Sequence, residues 1–279
     1  MDDRLDRVVC YKFQLTRSQA QKLIKQNSIL VDGKIINNPK VKVSLSSILE
    51  LKEDKKFISG SKKLNIEVIY ENEDFLCINK PSGLAVQDGP GIEYSLSTYL
   101  SDNRSSLKDI GGLQRYGLVH RLDKDTTGAL LIAKNQESFK QLTLLFKERR
   151  IHKTYFALVH GKLDKELKLE FPLGRNPKNR MKRSVLRNGK ESITFLKPIA
   201  LIDNKFTLIK AKPRTGRMHQ IRVHLKYINR PIVGDRIYGK DNQKHFFLHS
   251  ASVRFHFKGI LYNLSAKFPE YWKDYLKYL

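Results

Sequence analysis

Residues 118–134 combine a dense charge cluster with buried-strand signals on both sides. Residues 120–125 hold three basic residues and two carboxylates, counting His120 as basic. An apolar pair precedes the cluster, and the apolar run 129–133 follows it. Short apolar runs beside glycine are typical of buried strands, so the pattern predicts a charged loop held by a rigid scaffold, where catalytic groups often lie. On composition alone, a solvated turn with surface ion pairs is the more common structure.

The rest of the chain alternates short strand and helix signals, which favours an α+β fold with a mixed, mainly antiparallel sheet. Strands are expected at residues 66–70, 75–78, 192–196 and 206–210, and helices at residues 136–150 and 218–228. Residues 53–63 are charged and contain Gly and Ser, which is typical of a linker. We therefore expect a small α/β module over residues 1–58 and a larger domain over residues 59–279.

The first of these modules has its own helix and hairpin signals. Helices are expected at residues 5–13 and from a cap at Thr16 or Ser18 to about residue 26. Asp32 and Gly33 are the strongest hairpin signal in the chain, after a strand at residues 29–31. A helix–hairpin unit whose lysines are merely solvated fits this pattern as well as an RNA-binding unit does.

The charge balance indicates a polyanionic partner. The chain has 53 Lys and Arg against 28 Asp and Glu, a net charge of +25, and such an excess is typical of nucleic-acid binding. No apolar run approaches the length that spans a bilayer, and the first residues contain no apolar leader. We therefore expect RNA or another nucleic acid as partner, no membrane association and a cytoplasmic location.

Cysteine and histidine usage predicts neither a metal site nor a disulfide framework. Cys10 and Cys77 are the two cysteines and lie far apart, which fits a reducing compartment. The eight histidines are scattered, and His219 and His224 do not share a helix face. The chain has no Walker-type Gly-rich lysine loop. We expect no metal, no cofactor and a monomer.

Three further features could carry chemistry or serve only the fold. Tyr155 lies in the apolar run 155–159, where a tyrosine is usually a core aromatic. Arg222 lies beside an apolar helical stripe, from which it can reach a partly buried carboxylate; by charge alone a phosphate contact is the commoner role. Residues 175–190 hold seven Lys and Arg and no Asp or Glu, and predict a flexible basic loop that either grips an RNA backbone or is simply solvated.

Residues 120–128, His-Arg-Leu-Asp-Lys-Asp-Thr-Thr-Gly, resemble the signature of the RluA-type pseudouridine synthases, which isomerise uridine to pseudouridine in RNA. Further segments match motifs of that family in the same order: residues 77–86, 153–161, 215–225, 231–239 and 248–250. Several ordered motifs are far more specific than any one of them.

The resemblance implies a catalytic trio. Asp123 is then the nucleophile, with attack on the ribose C1′ or on the base C6 left open, and covalent catalysis by a carboxylate is chemically sound. Arg222 pairs with Asp123, and we expect a bidentate contact that keeps the carboxylate ionised. Tyr155 stacks on the target uracil and can remove the C5 proton. Arg121 enters the space that a flipped base leaves.

The resemblance also extends to RNA binding. The helix–hairpin order of residues 1–58 resembles the alpha-L RNA-binding motif that often precedes this catalytic domain. Candidate phosphate contacts in this module and in the basic loop are Arg17, Lys22, Lys25, Arg175, Lys178, Arg180, Lys182 and Arg183.

These features together predict a cofactor-free RNA pseudouridine synthase, an isomerase, that acts on large-subunit ribosomal RNA. Transfer RNA is the alternative substrate. The alternative function is a non-catalytic RNA-binding factor in ribosome assembly. A pure binder has no need of Asp123, Tyr155 and Arg222, and this argues for the enzyme.

Overall fold

The computed structural model describes residues 2–13, 15, 17–51, 64–89, 91–112, 115–179, 181–239 and 241–279, without the side chains of Ser18, Gln19 and Lys22. The predicted linker and the predicted boundary at residue 58 lie outside the described residues. The elements of the N-terminal module are β1 (Asp2–Arg4), α1 (Leu5–Phe13), α2 (Arg17–Lys25), β2 (Ile29–Val31), β3 (Lys34–Ile35), β4 (Lys42–Ser44) and β5 (Leu49–Leu51).

The N-terminal module is built around two short sheets and its two helices. Both helices were predicted, and the Asp32–Gly33 turn between β2 and β3 has positive φ at both residues, 50° and 78°, as a two-residue hairpin requires. β5 completes a sheet of order β3-β2-β5, and β1 pairs with β4. Residues 41–45 also carry a strand signal that predicts a continuation of the hairpin, but β4 pairs with β1 instead, so that prediction is wrong. The core of the N-terminal module is apolar and includes Val9, Ala20, Ile24 and Ile29.

Residues 64–279 contain a nine-stranded mixed sheet with helices packed against it. The elements of residues 64–279 are β6 (Val68–Glu71), β7 (Phe75–Lys80), α3 (Leu96–Asn103), β8 (Thr127–Ala133), α4 (Gln136–Lys147), β9 (His152–His160), β10 (Leu167–Glu170), β11 (Leu173–Arg175), β12 (Arg183–Val185), β13 (Ile193–Ile202), β14 (Phe206–Pro213), α5 (Gln220–Tyr227), β15 (Leu248–Phe257), β16 (Ile260–Ser265) and α6 (Lys273–Leu276).

The strand order of this sheet is β10-β13-β14-β9-β15-β8-β7-β6, and β16 pairs with β15. The ladder between β8 and β15 is parallel, and the others in this sheet are antiparallel. This confirms the predicted α+β class with a mainly antiparallel mixed sheet. β11 and β12 form a separate two-stranded hairpin. These strands take in Arg175 and Arg183–Val185 of the basic segment, and its other described residues lie outside the named strands. The flexibility of the predicted basic loop stays a prediction.

β8 anchors the charged loop that precedes it. All seven of its residues are buried, because apolar residues cover both of its faces and α4 packs beside it. Gly128 has a φ of 110°, and a Cβ there would lie 2.2 Å from the carbonyl oxygen of Ser250 on β15. A glycine is thus required for the close parallel approach of the two strands, and this approach fixes where the charged loop meets the sheet.

Candidate active site

The charged loop carries Asp123 and is held in place by a buried lysine. Lys80, at the end of β7, is fully buried and donates a 2.9 Å hydrogen bond to the carbonyl oxygen of Lys124, next to Asp123. It also donates to two carbonyl oxygens of its own turn. Burial lowers the pKa of Lys80 to about 7, against the charges of Asp125 and Asp123. The ammonium group therefore ties the loop to the sheet.

Asp123 contacts Arg222 of α5 through one carboxylate oxygen. Arg222 Nη1 donates to Asp123 Oδ2 at 2.9 Å, so the two residues meet as predicted. The bidentate contact, however, goes elsewhere: Arg222 Nε and Nη2 both donate to Asp235, each at 2.8 Å. The prediction of a bidentate Arg222–Asp123 pair is wrong, because the fork of the guanidinium faces the buried Asp235 and leaves a single edge nitrogen for Asp123.

Arg222 is enclosed on all sides. Its guanidinium carbon lies 5.1 Å from the ring centres of Tyr238 and Phe246. Burial opposes its charge, but hydrogen bonds and charge from Asp235 together with the charge of Asp123 raise its pKa above the ordinary value. Arg222 is therefore a permanent cation in a low-dielectric setting, where charge-assisted hydrogen bonds are strong.

Asp235 binds the Arg222 guanidinium at the edge that does not contact Asp123. It is 1% exposed, and its Oδ1 also accepts the backbone N–H groups of Ile237 and Tyr238, at 2.9 and 3.0 Å. With all of these donors its carboxylate is saturated. Asp235 therefore fixes the orientation of Arg222, and Arg222 in turn orients Asp123.

Tyr155 is brought to the same site by β9. It is 8% exposed and lines the cleft above Asp123. Burial raises its pKa to about 12; a hydrogen bond with Ser250 opposes the shift and the charge of Asp123 adds to it. The phenol is therefore neutral at physiological pH, with its ring available at the wall of the cleft.

A cleft of about 570 Å³ brings the predicted catalytic residues together. Among the described residues that line it, Asp123 is the one carboxylate, against a ring of basic side chains. The basic residues are Arg121, Lys147, Arg149, Lys153, Arg214, Arg217 and Arg222. The volume suits a nucleotide-sized ligand, and the charge balance suits an anionic one.

Lys153 lies two residues before Tyr155 on the same face of β9, because strand side chains alternate. Burial lowers its pKa to about 8. No hydrogen bond or ion pair joins its ammonium group to the described residues. Lys153 therefore places a positive charge along the strand from Tyr155, inside the cleft.

The basic hairpin β11–β12 is attached to the site. The backbone N–H of Arg183 donates to Tyr238 Oη at 2.8 Å, and the Arg183 side chain contacts Met218. Arg175 and Lys178 are exposed and Lys182 is partly exposed; Arg180 lies outside the described residues. The hairpin therefore presents charge beside the cleft, and Arg183, at the end of β12 next to the connecting loop, fixes it to Tyr238 and Met218.

The other predicted RNA contacts are spread over two regions. Arg121 is exposed at the cleft, next to Asp123. In the N-terminal module, Lys25 is exposed, whereas Arg17 donates through Nε to the buried Asp6 at 3.1 Å and is 53% exposed. The Lys22 side chain lies outside the described residues. Arg17 thus combines an anchoring contact with a solvent-facing guanidinium edge.

Sequence reasoning missed three residues of this site. Asp235 and Tyr238 lie in the motif at 231–239, whose match carried no chemical assignment, and their partner Arg222 lies on α5, 13 residues before Asp235. His219 precedes α5 in a left-handed conformation, with φ 58°. A carboxylate and a tyrosine between the two glycines of this motif were the available signal.

Comparison with known proteins identifies the family. The model of the RNA pseudouridylate synthase family matches residues 74–227. The chain belongs to this family. The S4 domain model matches residues 3–49, where the alpha-L module was expected, and the resemblance to RluA-type pseudouridine synthases is confirmed.

Curated relatives of this pseudouridylate synthase family member cover most of its length. A Rickettsia felis protein named ribosomal large subunit pseudouridine synthase C is 35% identical over 98% of this chain and 96% of its own. A Buchnera aphidicola protein named ribosomal large subunit pseudouridine synthase D is 38% identical over 84% of this chain and 75% of its own. The chain is thus an RNA pseudouridine synthase by family.

A solved structure shares the fold. Human RNA pseudouridylate synthase domain containing 1 aligns with a TM-score of 0.62 and 26% identity, over 74% of this chain and 84% of its own.

No helix in the described ranges has the length and apolar character needed to cross a membrane. The same residues contain no cluster of three or more His, Cys, Asp or Glu suited to a metal ion.

Proposed function

We propose that this enzyme isomerises uridines of large-subunit ribosomal RNA to pseudouridine, with Asp123 as nucleophile. The observation that carries the proposal is the state of the Asp123 carboxylate. One of its oxygens is bound by Arg222, whereas Oδ1 accepts no hydrogen bond from a described residue and faces the cleft. The charge-assisted hydrogen bond from Arg222 orients the carboxylate. An ionised, oriented and partly unsaturated carboxylate is suited to attack.

The reaction breaks one bond to C1′ and makes another. By one route Asp123 attacks C1′, the N1–C1′ bond breaks and the uracil leaves with its electron pair. The base then turns, C5 displaces the carboxylate at C1′, C5 loses its proton and N1 gains one. By the other route Asp123 adds to C6, the N1–C1′ bond breaks, and the base turns while it stays attached to Asp123. C5 then bonds to C1′, N1 gains a proton, and loss of the C5 proton expels the carboxylate from C6. Both routes end with a free carboxylate, as covalent catalysis requires.

Tyr155 serves chiefly as the stacking platform for the detached base. Its raised pKa means that a phenolate is not available near neutral pH, and a neutral phenol is a weak base. Stacking of a base on an aromatic side chain is worth about 1–3 kcal/mol. We therefore expect Tyr155→Phe to preserve RNA binding. A loss of turnover in this variant that exceeds its loss of RNA binding would report proton transfer by the hydroxyl group.

RNA is held by basic groups outside the catalytic trio. Arg121 lies at the mouth of the cleft beside Asp123, where it can replace a flipped base, and base flipping costs a few kcal/mol. The hairpin β11–β12 and the N-terminal module add exposed positive charge for the phosphate backbone. Extended contact of this kind favours a large folded RNA over a free nucleotide.

Two observations support ribosomal RNA as the substrate. Relatives that match at 35% and 38% identity are named for the large ribosomal subunit. The S4 model matches the module that precedes the catalytic domain. Transfer RNA and an assembly role without catalysis are the outcomes against which the substrate is tested.

We further propose that the enzyme works in the cytoplasm as a monomer with two modules divided near residue 58. Both cysteines are free, which suits a reducing compartment. Asp123, Tyr155, Arg222 and Asp235 all come from one chain, so the site is complete without a second copy. The apolar cores of the two modules share no residue.

The deciding experiment is pseudouridine mapping of ribosomal and transfer RNA in cells with and without the protein. The deleted strain is complemented with the wild type or with Asp123→Asn. We expect specific sites in large-subunit RNA to disappear on deletion, to return with the wild type and to stay absent with Asp123→Asn.

Other outcomes have defined meanings. Sites lost only from transfer RNA would replace the proposed substrate. A map that is unchanged by deletion would favour the assembly factor. Sites restored by Asp123→Asn would overturn the nucleophile assignment while leaving the enzyme class intact.

A further inference from the structure

His219 lies at the start of α5 with its ring directed at the nucleophile. Its Nε2 is 3.8 Å from Asp123 Oδ1, the carboxylate oxygen that Arg222 leaves free. We propose that His219 is a positioning residue that donates a hydrogen bond from Nε2 to Asp123 Oδ1 in the RNA complex, in the tautomer that Tyr238 selects. This inference rests on the proposed role of Asp123 and deepens it.

The tautomer of His219 follows from its other partner. Tyr238 Oη lies 2.8 Å from His219 Nδ1 and accepts the backbone N–H of Arg183 at 2.8 Å. The backbone N–H of Arg183 cannot accept a proton, so His219 Nδ1 is the one acceptor that the described residues offer to the Tyr238 hydroxyl, and we assign the hydroxyl hydrogen to that contact. The ring proton therefore sits on Nε2, the nitrogen that faces Asp123.

The ring is neutral and tightly held. The His219 side chain is 8% exposed, and burial lowers its pKa, although the charge of Asp123 opposes the shift. Its backbone φ of 58° places it in the left-handed region, which is uncommon for a residue other than glycine and is often found at functional sites. The backbone thus aims a single N–H donor at the carboxylate.

A second donor gives Asp123 what Arg222 alone cannot. A carboxylate held at one oxygen can still turn about its Cβ–Cγ bond, whereas donors at both oxygens fix its plane. Each carboxylate oxygen has two acceptor positions, so Oδ1 keeps a lone pair for attack after it accepts the His219 proton. Catalytic hydrogen bonds are often long in the free enzyme and shorten in the complex, and closing this gap needs about 1 Å.

The donor chain begins on the basic hairpin. Arg183 belongs to β12, whose hairpin we propose to hold RNA, and its backbone N–H fixes the direction of the Tyr238 hydroxyl. Tyr238 in turn fixes the proton of His219. The hairpin is thereby joined through two hydrogen bonds to the residue that faces the nucleophile.

Substitutions at His219 separate a positioning role from a structural one. Asn is tolerated in the left-handed region but is too short to reach Asp123, whereas the amide of Gln can extend to donate. With an RNA that the wild type converts, we expect His219→Asn to lower the single-turnover rate constant about 10- to 100-fold, the range for one hydrogen bond to a charged group. We expect the RNA dissociation constant to stay within about 3-fold, and His219→Gln to recover most of the rate.

Two further variants serve as a parallel test and a matched control. Tyr238→Phe keeps the ring beside Arg222 and removes the hydroxyl, so both tautomers of His219 become available and the backbone N–H of Arg183 loses its acceptor. We expect a smaller loss of the single-turnover rate at saturating RNA. His256→Asn makes the same chemical change at an exposed position of β15, outside the residues that line the cleft, and should leave the rate at the wild-type value. Thermal unfolding shows which variants fold.

Several results would overturn the proposal. They are an unchanged rate in His219→Asn, a loss confined to RNA affinity, or equal losses in the Asn and Gln variants. If His219→Asn does not fold, an unchanged rate in Tyr238→Phe overturns it and a reduced rate supports it. Failure of the proposed function is distinguishable, because it shows as turnover by Asp123→Asn or as no RNA that the wild type converts.

Discussion

Asp6 and Asp123 both bind arginine, and of these two carboxylates Asp123 is the one that keeps unused acceptor capacity. Asp6 in the N-terminal module is fully buried and accepts hydrogen bonds from Arg4, Arg17 and Gln21 at 2.7–3.1 Å. Asp123 is 16% exposed, with Arg222 at one oxygen and the cleft at the other. A saturated carboxylate holds the fold together, whereas an ionised carboxylate with a free oxygen beside a cleft is available for chemistry.

The largest expected effect comes from removing the charge of Asp123, whose Oδ1 is free to react. Asp123→Asn keeps the shape of the side chain and removes the nucleophile, so we expect turnover to fall by more than about 10³-fold. RNA affinity should change by less than about 3-fold, because the basic groups of the cleft and the hairpin remain. Single-turnover assays with filter binding measure both. Turnover within 10-fold of wild type would contradict the comparison.

Removing the charge of Asp235, the saturated carboxylate that also binds Arg222, should lower both the stability of the protein and the rate of turnover. Asp235→Asn leaves Arg222 without its bidentate partner, and breaking a buried pair costs about 3–5 kcal/mol. We expect a lower unfolding midpoint and, because Arg222 then orients Asp123 less well, a rate loss of about 10²-fold.

Asp6→Asn is the matched control for this variant. It also breaks a buried pair, and we expect it to destabilise the N-terminal module by a similar amount. It should not slow the chemical step at saturating RNA, since Asp6 lies outside the cleft. Equal rate losses in the two variants would show that buried pairing alone, rather than the contact to Asp123, explains the effect.

Exposed charges should behave differently from buried ones. Replacing Lys178 and Lys182 of the hairpin by Ala should weaken RNA binding about 10-fold and reduce the slope of log affinity against log salt by about 1.4, if each contacts one phosphate of single-stranded RNA. The single-turnover rate at saturating RNA should not change. A titration over salt concentrations checks this, and an unaltered slope would remove the hairpin from the RNA interface.

The smallest expected effect is a pH dependence from Lys153. Its pKa of about 8 means that it carries charge below pH 8 and loses it as the pH rises. If RNA binds the charged form, affinity should fall about 4-fold between pH 7 and pH 8.5 by proton linkage. Lys153→Arg retains its charge over this range, so its affinity should be flat. A parallel fall in both proteins would assign the effect to another group.

Much of the scaffold could be predicted because its signals are local. The helix signals of α1 and α2, the turn at Asp32 and Gly33, and the apolar run of β8 each depend on neighbouring residues. Gly128 adjacent to the charged loop marked where the strand begins. Strands β1 and β5 are three residues each, too short to show alternation, and their pairing is set by tertiary contacts.

The site could be predicted only in part, because its side-chain pairings do not depend on neighbouring residues along the chain. The motif resemblance brought Asp123, Tyr155 and Arg222 to one place, and the structure brings them together around the cleft. Which carboxylate takes the fork of Arg222 depends on how the loop with Asp235 folds under the helix, and no spacing along the chain encodes that geometry. Long-range side-chain pairing of buried charges is set by the final packing.

The most direct test of the central claim is to find where RNA becomes attached to the protein during turnover. Wild-type enzyme and substrate RNA are quenched in denaturant at early times, digested with nuclease and protease, and analysed by mass spectrometry. We expect a ribosyl or nucleotide adduct on the peptide that contains Asp123, with its mass reporting whether C1′ or C6 is bound, and no adduct with Asp123→Asn. An adduct on another residue, or full turnover by Asp123→Asn, would contradict the assignment of the free carboxylate oxygen as the nucleophile.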